Sequence, residues 1–76
     1  MNEKNTTVRS AEDLGHLLRT SRKASNMTLE EAALICGVSK RNLSEIERGK
    51  ATAEIGRVLK LLDQFGITLT AKQKEL

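Results

Sequence analysis

The chain has a single cysteine, a single aromatic residue and no proline among its 76 residues, and each shortage excludes something. With Cys36 alone, neither an internal disulfide nor a thiolate metal cage can form, which fits a reduced cytosolic protein. Proteins that hold single-stranded nucleic acid normally stack its bases on several aromatic rings, and here there is only Phe65. No apolar run approaches the roughly 20 residues needed to cross a bilayer. The first ten residues are polar, rich in Asn and Thr, and lack the apolar stretch of a signal peptide. The expectations are a cytoplasmic location and no membrane partner.

The scarcity extends to chemistry. His16 is the only histidine; it lies opposite the Leu14 and Leu18 stripe, and no second ligand stands at metal-binding spacing, so surface placement is expected and no metal site. Cys36 falls on an apolar face with neither a base nor a cationic pocket implied around it, which makes it a small core residue and not a nucleophile. No glycine-rich phosphate loop, acid pair or catalytic triad can be assembled from the rest. No catalytic residue, no cofactor and no enzyme activity are expected.

What is present is charge in a particular place. A chain of this length makes one domain with a small core. Its net charge is +3, and residues 19–50 hold seven basic and four acidic side chains, which accounts for the whole excess. A basic surplus gathered on one segment is the footprint of a phosphate binder.

Punctuation divides the chain into four helical stretches and a tail. Residues 1–10 read as a flexible arm, 11–66 as the folded domain and 67–76 as a strand and tail. Ser10 followed by Asp13 resembles a capping box and opens a first helix over 11–25, with Leu14, Leu17, Leu18 and Ser21 on one stripe. Thr28 followed by Glu31 is the same device with its preferred partner. It opens a second helix that buries Leu29, Ala32, Ala33 and Cys36 and stops at Gly37. Ser39 caps a third helix with Leu43 and Ile46 inward, and the two-residue corner of Gly37 and Val38 makes the axes cross steeply. A fourth helix, over 53–65, carries Ile55, Val58, Leu59, Leu62 and Phe65, with Leu61 widening the stripe, and Gly66 ends it.

That last stripe is broader than one small domain needs, so part of it is expected to meet a second copy. After Gly66, Ile67-Thr68-Leu69-Thr70 alternates apolar and polar with β-branched residues, as a short strand does. It has no evident partner in the chain, and the same strand of a twofold-related copy would supply one. A homodimer using Leu61, Phe65, Ile67 and Leu69 is the expectation.

The third helix is too short to stand alone in water, so the second must hold it. Its outward face carries Lys40, Arg41, Ser44 and Glu45. A helix fits the major groove, where Arg41 can make a bidentate contact to guanine and Lys40 a second donor contact. Ser44 and Glu45, one turn on, reach a base or accept from cytosine, although a half-exposed glutamate also serves as an intramolecular partner. The helix amino ends at Thr28 and Ser39 attract phosphate as well as being good caps. Arg48 and Lys50 read either as phosphate contacts or as a solvated turn.

The spaced residues resemble the Cro/repressor-type, or Xre, helix-turn-helix family over about residues 14–65. They are Leu14-Gly15 and Arg22, then Thr28-x-x-Glu31-Ala32-Ala33, then Gly37-Val38-Ser39, then Leu43-Ser44-x-Ile46-Glu47-x-Gly49-Lys50. Glu47-Arg48-Gly49-Lys50, one long helix and the Gly-Ile-Thr-Leu tail look most like the HipB-type antitoxins. The resemblance implies an all-α, lambda-repressor-like domain of four to five helices, with a short C-terminal strand pairing across a dimer. It also implies a transcriptional repressor on a palindromic duplex DNA operator, with a HipA-like kinase toxin as protein partner. By position, Lys40, Arg41, Ser44 and Glu45 would face base edges, Thr28, Ser39, Asn42, Arg48 and Lys50 would lie near phosphates, and Arg22 with Glu47 would form a buried structural pair.

The chain departs from the family where a glutamine commonly follows the second helix's cap, because Leu29 stands there. Leu34 and Ile35 occupy positions that are usually polar; local packing is expected for them, with a partner-facing patch as the other reading. A phage-type repressor, a restriction-modification controller, or a module that acts mainly by binding a protein partner are the competing functions.

Overall fold

Caps and hooks written into the local sequence mark out the helices of the computed structural model, which describes residues 5–74. They are α1 (Ala11–Ala24), α2 (Leu29–Cys36), α3 (Lys40–Glu47) and α4 (Ile55–Gln64). The first three open on a hydroxyl. Ser10 Oγ accepts from the Asp13 amide at 3.0 Å, Thr28 Oγ1 from Glu31 at 3.1 Å, and Ser39 Oγ from Asn42 at 2.9 Å. Only Thr28 completes the reciprocal box, its own amide donating to Glu31 Oε1 at 2.8 Å. At α1 the returning carboxylate is displaced by one residue, since Asp13 Oδ2 accepts from Arg9 and not from Ser10.

All four helices finish in the same way. The first residue past α2 and the second past α1, α3 and α4 take a left-handed conformation: Gly37 (φ 71°), Asn26 (φ 57°), Gly49 (φ 90°) and Gly66 (φ 72°). The amide of each and that of the next residue fold back onto the last turn, as Val38 N does to Ala33 O at 3.0 Å and Ile67 N to Leu62 O at 2.9 Å. These paired bonds satisfy carbonyls that a helix end otherwise leaves open. Asn tolerates this backbone better than most side chains, which is why Asn26 can stand where the others are glycine.

Three boundaries differ from the sequence expectation. α1 and α4 each end one residue early, and α4 begins at Ile55 instead of 53. Ala53 N is drawn back to Lys50 O at 3.2 Å, and Glu54 is extended with no side-chain cap, so the helix starts only after both. Residues 67–74 form neither helix nor ladder within this single chain. The Ile67 amide is already spent on Leu62, which leaves the amides of residues 68–70 for the pairing expected across a dimer. Residues 1–4 of the expected arm and 75–76 of the tail lie outside the described residues.

The core joins Leu18 of α1, Ala32 and Ala33 of α2, Leu43 and Ile46 of α3, and Val58, Leu61 and Leu62 of α4. α3 packs against both α1 and α2. Leu61, expected at a dimer contact, is instead 1% exposed and belongs to this core. It lies one turn from Val58 and beside Leu62 on the inward stripe, so helical spacing turns all three toward the other helices. The apolar residues of α4 left outside are Ile55 and Leu59, on the stripe's edge.

One polar element crosses this core. Arg22 Nε and Nη2 donate to Glu47 Oε2 and Oε1 at 2.8 and 3.0 Å, and Nη1 donates to the Met27 carbonyl at 2.9 Å. Both side chains are nearly buried. The hydrogen bond to Glu47 raises the guanidinium's pKa above its ordinary value, against the lowering effect of burial. Beside this pair, Gly15 lets α1 approach the backbone of α3: a Cβ there would stand 2.6 Å from the Glu47 carbonyl oxygen.

Removing one member of such a pair strands a buried charge, so Arg22→Met should lower stability by about 3–5 kcal/mol in urea unfolding. The double variant Arg22→Met/Glu47→Leu should lose far less than twice that. Glu31 gives a pH dependence. Hydrogen bonds from Thr28, backbone first and then side chain, hold its carboxyl below the ordinary value. Its contribution is therefore present above the ordinary carboxylate range and lost as pH falls through the lowered value. The melting-temperature gap between the wild type and Glu31→Ala should be open at neutral pH and close on acidification.

Candidate nucleic-acid interface

The corner between α2 and α3 sets the direction of everything on α3. Gly37 reverses the chain in the left-handed region, Val38 turns half inward, and Ser39 is extended (φ −73°, ψ 151°) as it caps α3. Ala32 and Ala33 are the buried side chains of α2, and small residues there allow α3 to seat closely. With Leu43 and Ile46 fixed in the core, the helical period leaves Lys40, Arg41, Ser44 and Glu45 on the outer side.

Arg41 is the most projecting of these, its side chain 89% exposed. Lys40 is exposed, while Ser44, Glu45 and Asn42 are half-buried. Ion pairs run across the face. Lys40 Nζ lies 3.1 Å from Glu30 Oε1, Arg41 Nε 3.9 Å from Glu45 Oε1, and Lys50 Nζ 3.6 Å from Glu45 Oε2. Exposed pairs of this kind are weak, about 0–1 kcal/mol each, so the cations can exchange partners readily. Glu45 thus acts as an intramolecular partner while standing on the outward face.

The two capping hydroxyls differ. Thr28 and Ser39 each use the oxygen as an acceptor toward their helix amide; the Thr28 hydroxyl also serves the Glu31 carboxyl, whereas the Ser39 O–H remains available to donate. The Lys40–Glu30 contact brings the first residue of α3 within reach of the first turn of α2, so both helix amino ends lie on one side of the molecule. Lys50 is tied to the outward face through Glu45. Arg48 is exposed at the end of α3, and no ion pair joins it to that face among the described residues.

Glu30 is the component that sequence reasoning missed. As an acid in the first turn of a helix it has a sufficient local reason to be there, and nothing in the spacing reports a lysine ten residues on. Leu29 sits half-buried against the core, which explains an apolar side chain at that departure from the family. Leu34 and Ile35 are a correction: instead of packing locally they are 83% and 61% exposed. The inward face of α2 is filled by Leu29, Ala32, Ala33 and Cys36, and the helical period turns the other two away. Burial pushes the Cys36 thiol up, which keeps it protonated at neutral pH. His16 is exposed. Among the described residues no cluster of His, Cys, Asp or Glu could hold a metal ion, and no helix is long and apolar enough to cross a membrane.

A family model described as helix-turn-helix matches residues 18–71. The chain is 37% identical over 62 residues to an uncharacterized HTH-type transcriptional regulator, y4mF, of Sinorhizobium fredii, spanning 82% of each protein. Among solved structures it is similar to HipB in a complex with an O4 20mer, with a TM-score of 0.80. The same holds for a HipA-HipB-O2-O3 complex, with a TM-score of 0.81. Each match is 17% identical and covers 93% of this chain and 100% of the other, a likeness of fold. The match to more than half the chain and the close relative together establish that this protein belongs to the helix-turn-helix family of the Cro/repressor type, with the fold of HipB.

Proposed function

We propose that the protein is a sequence-specific repressor that reads a palindromic duplex operator as a homodimer and serves as the antitoxin of a HipA-like kinase. The observation that carries the DNA reading is Arg41, projecting from a helix whose opposite face is locked into the core. Lys40, Ser44 and Glu45 accompany it toward base edges. Thr28, Ser39, Asn42, Arg48 and Lys50 hold phosphates, helped by the amide-bearing ends of α2 and α3. The toxin partnership is supported by the fold shared with HipB, whose solved complexes include one with HipA.

The exposed Leu34 and Ile35 favour a second role beside the first, a protein-binding face on α2. They lie on the helix that holds the reading helix in place, so a partner seated there would touch the DNA-binding unit directly.

The dimer is supported by apolar surface that one chain leaves uncovered. Ile55, Leu59 and Leu69 are exposed, and Phe65 and Ile67 are half-buried. Beside Ile55, a cleft of about 330 Å³ is lined largely by Val8, Ala11, Leu14, Ala53 and Val58. The strand of residues 67–70 would pair with its symmetry mate.

In a binding assay on a duplex selected from a random library, Arg41→Ala should cost about 1–3 kcal/mol and relax the preference at one base pair per half-site. Half-sites should lie about one helical turn apart, and affinity should fall steeply with salt, by about 0.9 log units per decade for each phosphate neutralised. Equal affinity for unrelated duplexes would remove the sequence-specific reading. Sedimentation at micromolar concentration should show a dimer, and removal of residues 67–76 should shift it toward monomer. A dimer indifferent to that truncation excludes the strand pairing.

A further inference from the structure

A helix that meets a polyanion has an electrostatic reason to avoid acidic side chains, yet Glu45 stands on the outward face of α3 beside Arg41 and Ser44. It is held there. One carboxylate oxygen faces Arg41 and the other faces Lys50, and the Lys50 amide donates to the Glu45 carbonyl at 3.1 Å as part of the hook that ends the helix. The side chain is 30% exposed, so packing restricts it.

The two cations have somewhere better to go when a duplex arrives, namely guanine acceptors and phosphate oxygens. Glu45 does not. Once its partners turn toward the DNA, its charge faces the polyanion uncompensated unless a base supplies a donor. In the major groove the natural donor for a carboxylate is the amino group of cytosine. A duplex lacking it at that position meets repulsion, and discrimination built on a repulsive element does not require tight binding of the correct site.

We infer that Glu45 sets specificity on this face by rejection: it penalises every duplex that does not set a base amino group, cytosine N4 foremost, against its carboxylate. This rests on the DNA reading proposed above. Arg41 supplies attraction and Glu45 supplies rejection. Glu30 gives the contrast, since it also pairs with a cation of the face. It belongs to α2 and its side chain is 74% exposed, where water and salt screen it, so it tempers affinity without selecting sequence.

The test measures binding of the full-length chain to its selected operator and to an unrelated duplex of equal length at one salt concentration. Glu45→Gln, whose amide oxygen can still accept from a base but whose charge is gone, should tighten the unrelated duplex more than the operator, so that the ratio of the two affinities falls about tenfold. A second round of selection with this variant should lose one G·C requirement per half-site. Glu30→Gln should shift both affinities by the same factor and keep the ratio. Glu45→Asp, which retains the charge with a shorter reach, should keep the unrelated duplex weak while weakening the operator. Circular dichroism of each variant should match the wild type. The inference is overturned if Glu45→Gln preserves the ratio, whether both affinities rise together or neither moves. A wild-type chain that binds all duplexes alike gives a different result, failure of the DNA reading itself.

Discussion

The guanidinium of Arg22 is the point on which the domain's geometry turns. It ties α1 to the end of α3 through Glu47 and reaches the Met27 carbonyl just before α2. One side chain thereby fixes three segments that local sequence would leave free to rotate about their hydrophobic contacts. Apolar packing is non-directional, and the buried side chains of α2 are two alanines, which grip weakly. A bidentate, nearly buried ion pair adds the direction that packing lacks. Gly15 serves the same purpose from the other side, because only a residue without a Cβ lets α1 lie against the α3 backbone at this distance.

Much of this was legible in the sequence because its causes are local. Hydroxyl caps at Ser10, Thr28 and Ser39, glycines past α2 and α4, and apolar spacing on each stripe are all short-range signals, and the helices follow them closely. The features that were not legible depend on distance. Whether Leu61 lies inward or faces a second copy turns on where α4 docks, and a stripe read from spacing alone is wider than the strip that reaches the core. Leu34 and Ile35 are apolar enough to suggest burial, but α2 has only one inward face and four other residues fill it.

The candidate interface divides along the same line. That residues 40, 41, 44 and 45 share an outward face follows from the helical period once Leu43 and Ile46 are placed inward. Their charge partners do not follow, because Glu30 reaches Lys40 across a corner whose angle is set by Gly37. The formal surplus of positive charge therefore overstates the field offered to a ligand. Each cation on this face apart from Arg48 is within ion-pair distance of a carboxylate, and the surface is better described as exchangeable than as basic.

The hooks that close all four helices have a kinetic meaning. Each is completed by residues within five positions of one another, so a helix can finish its own hydrogen bonding before any distant segment has arrived. Chains dominated by such short-range contacts cross a low entropic barrier and belong to the class that folds within about microseconds to milliseconds. A chain of this kind presents its outward helix face soon after synthesis, without waiting for slow long-range pairing.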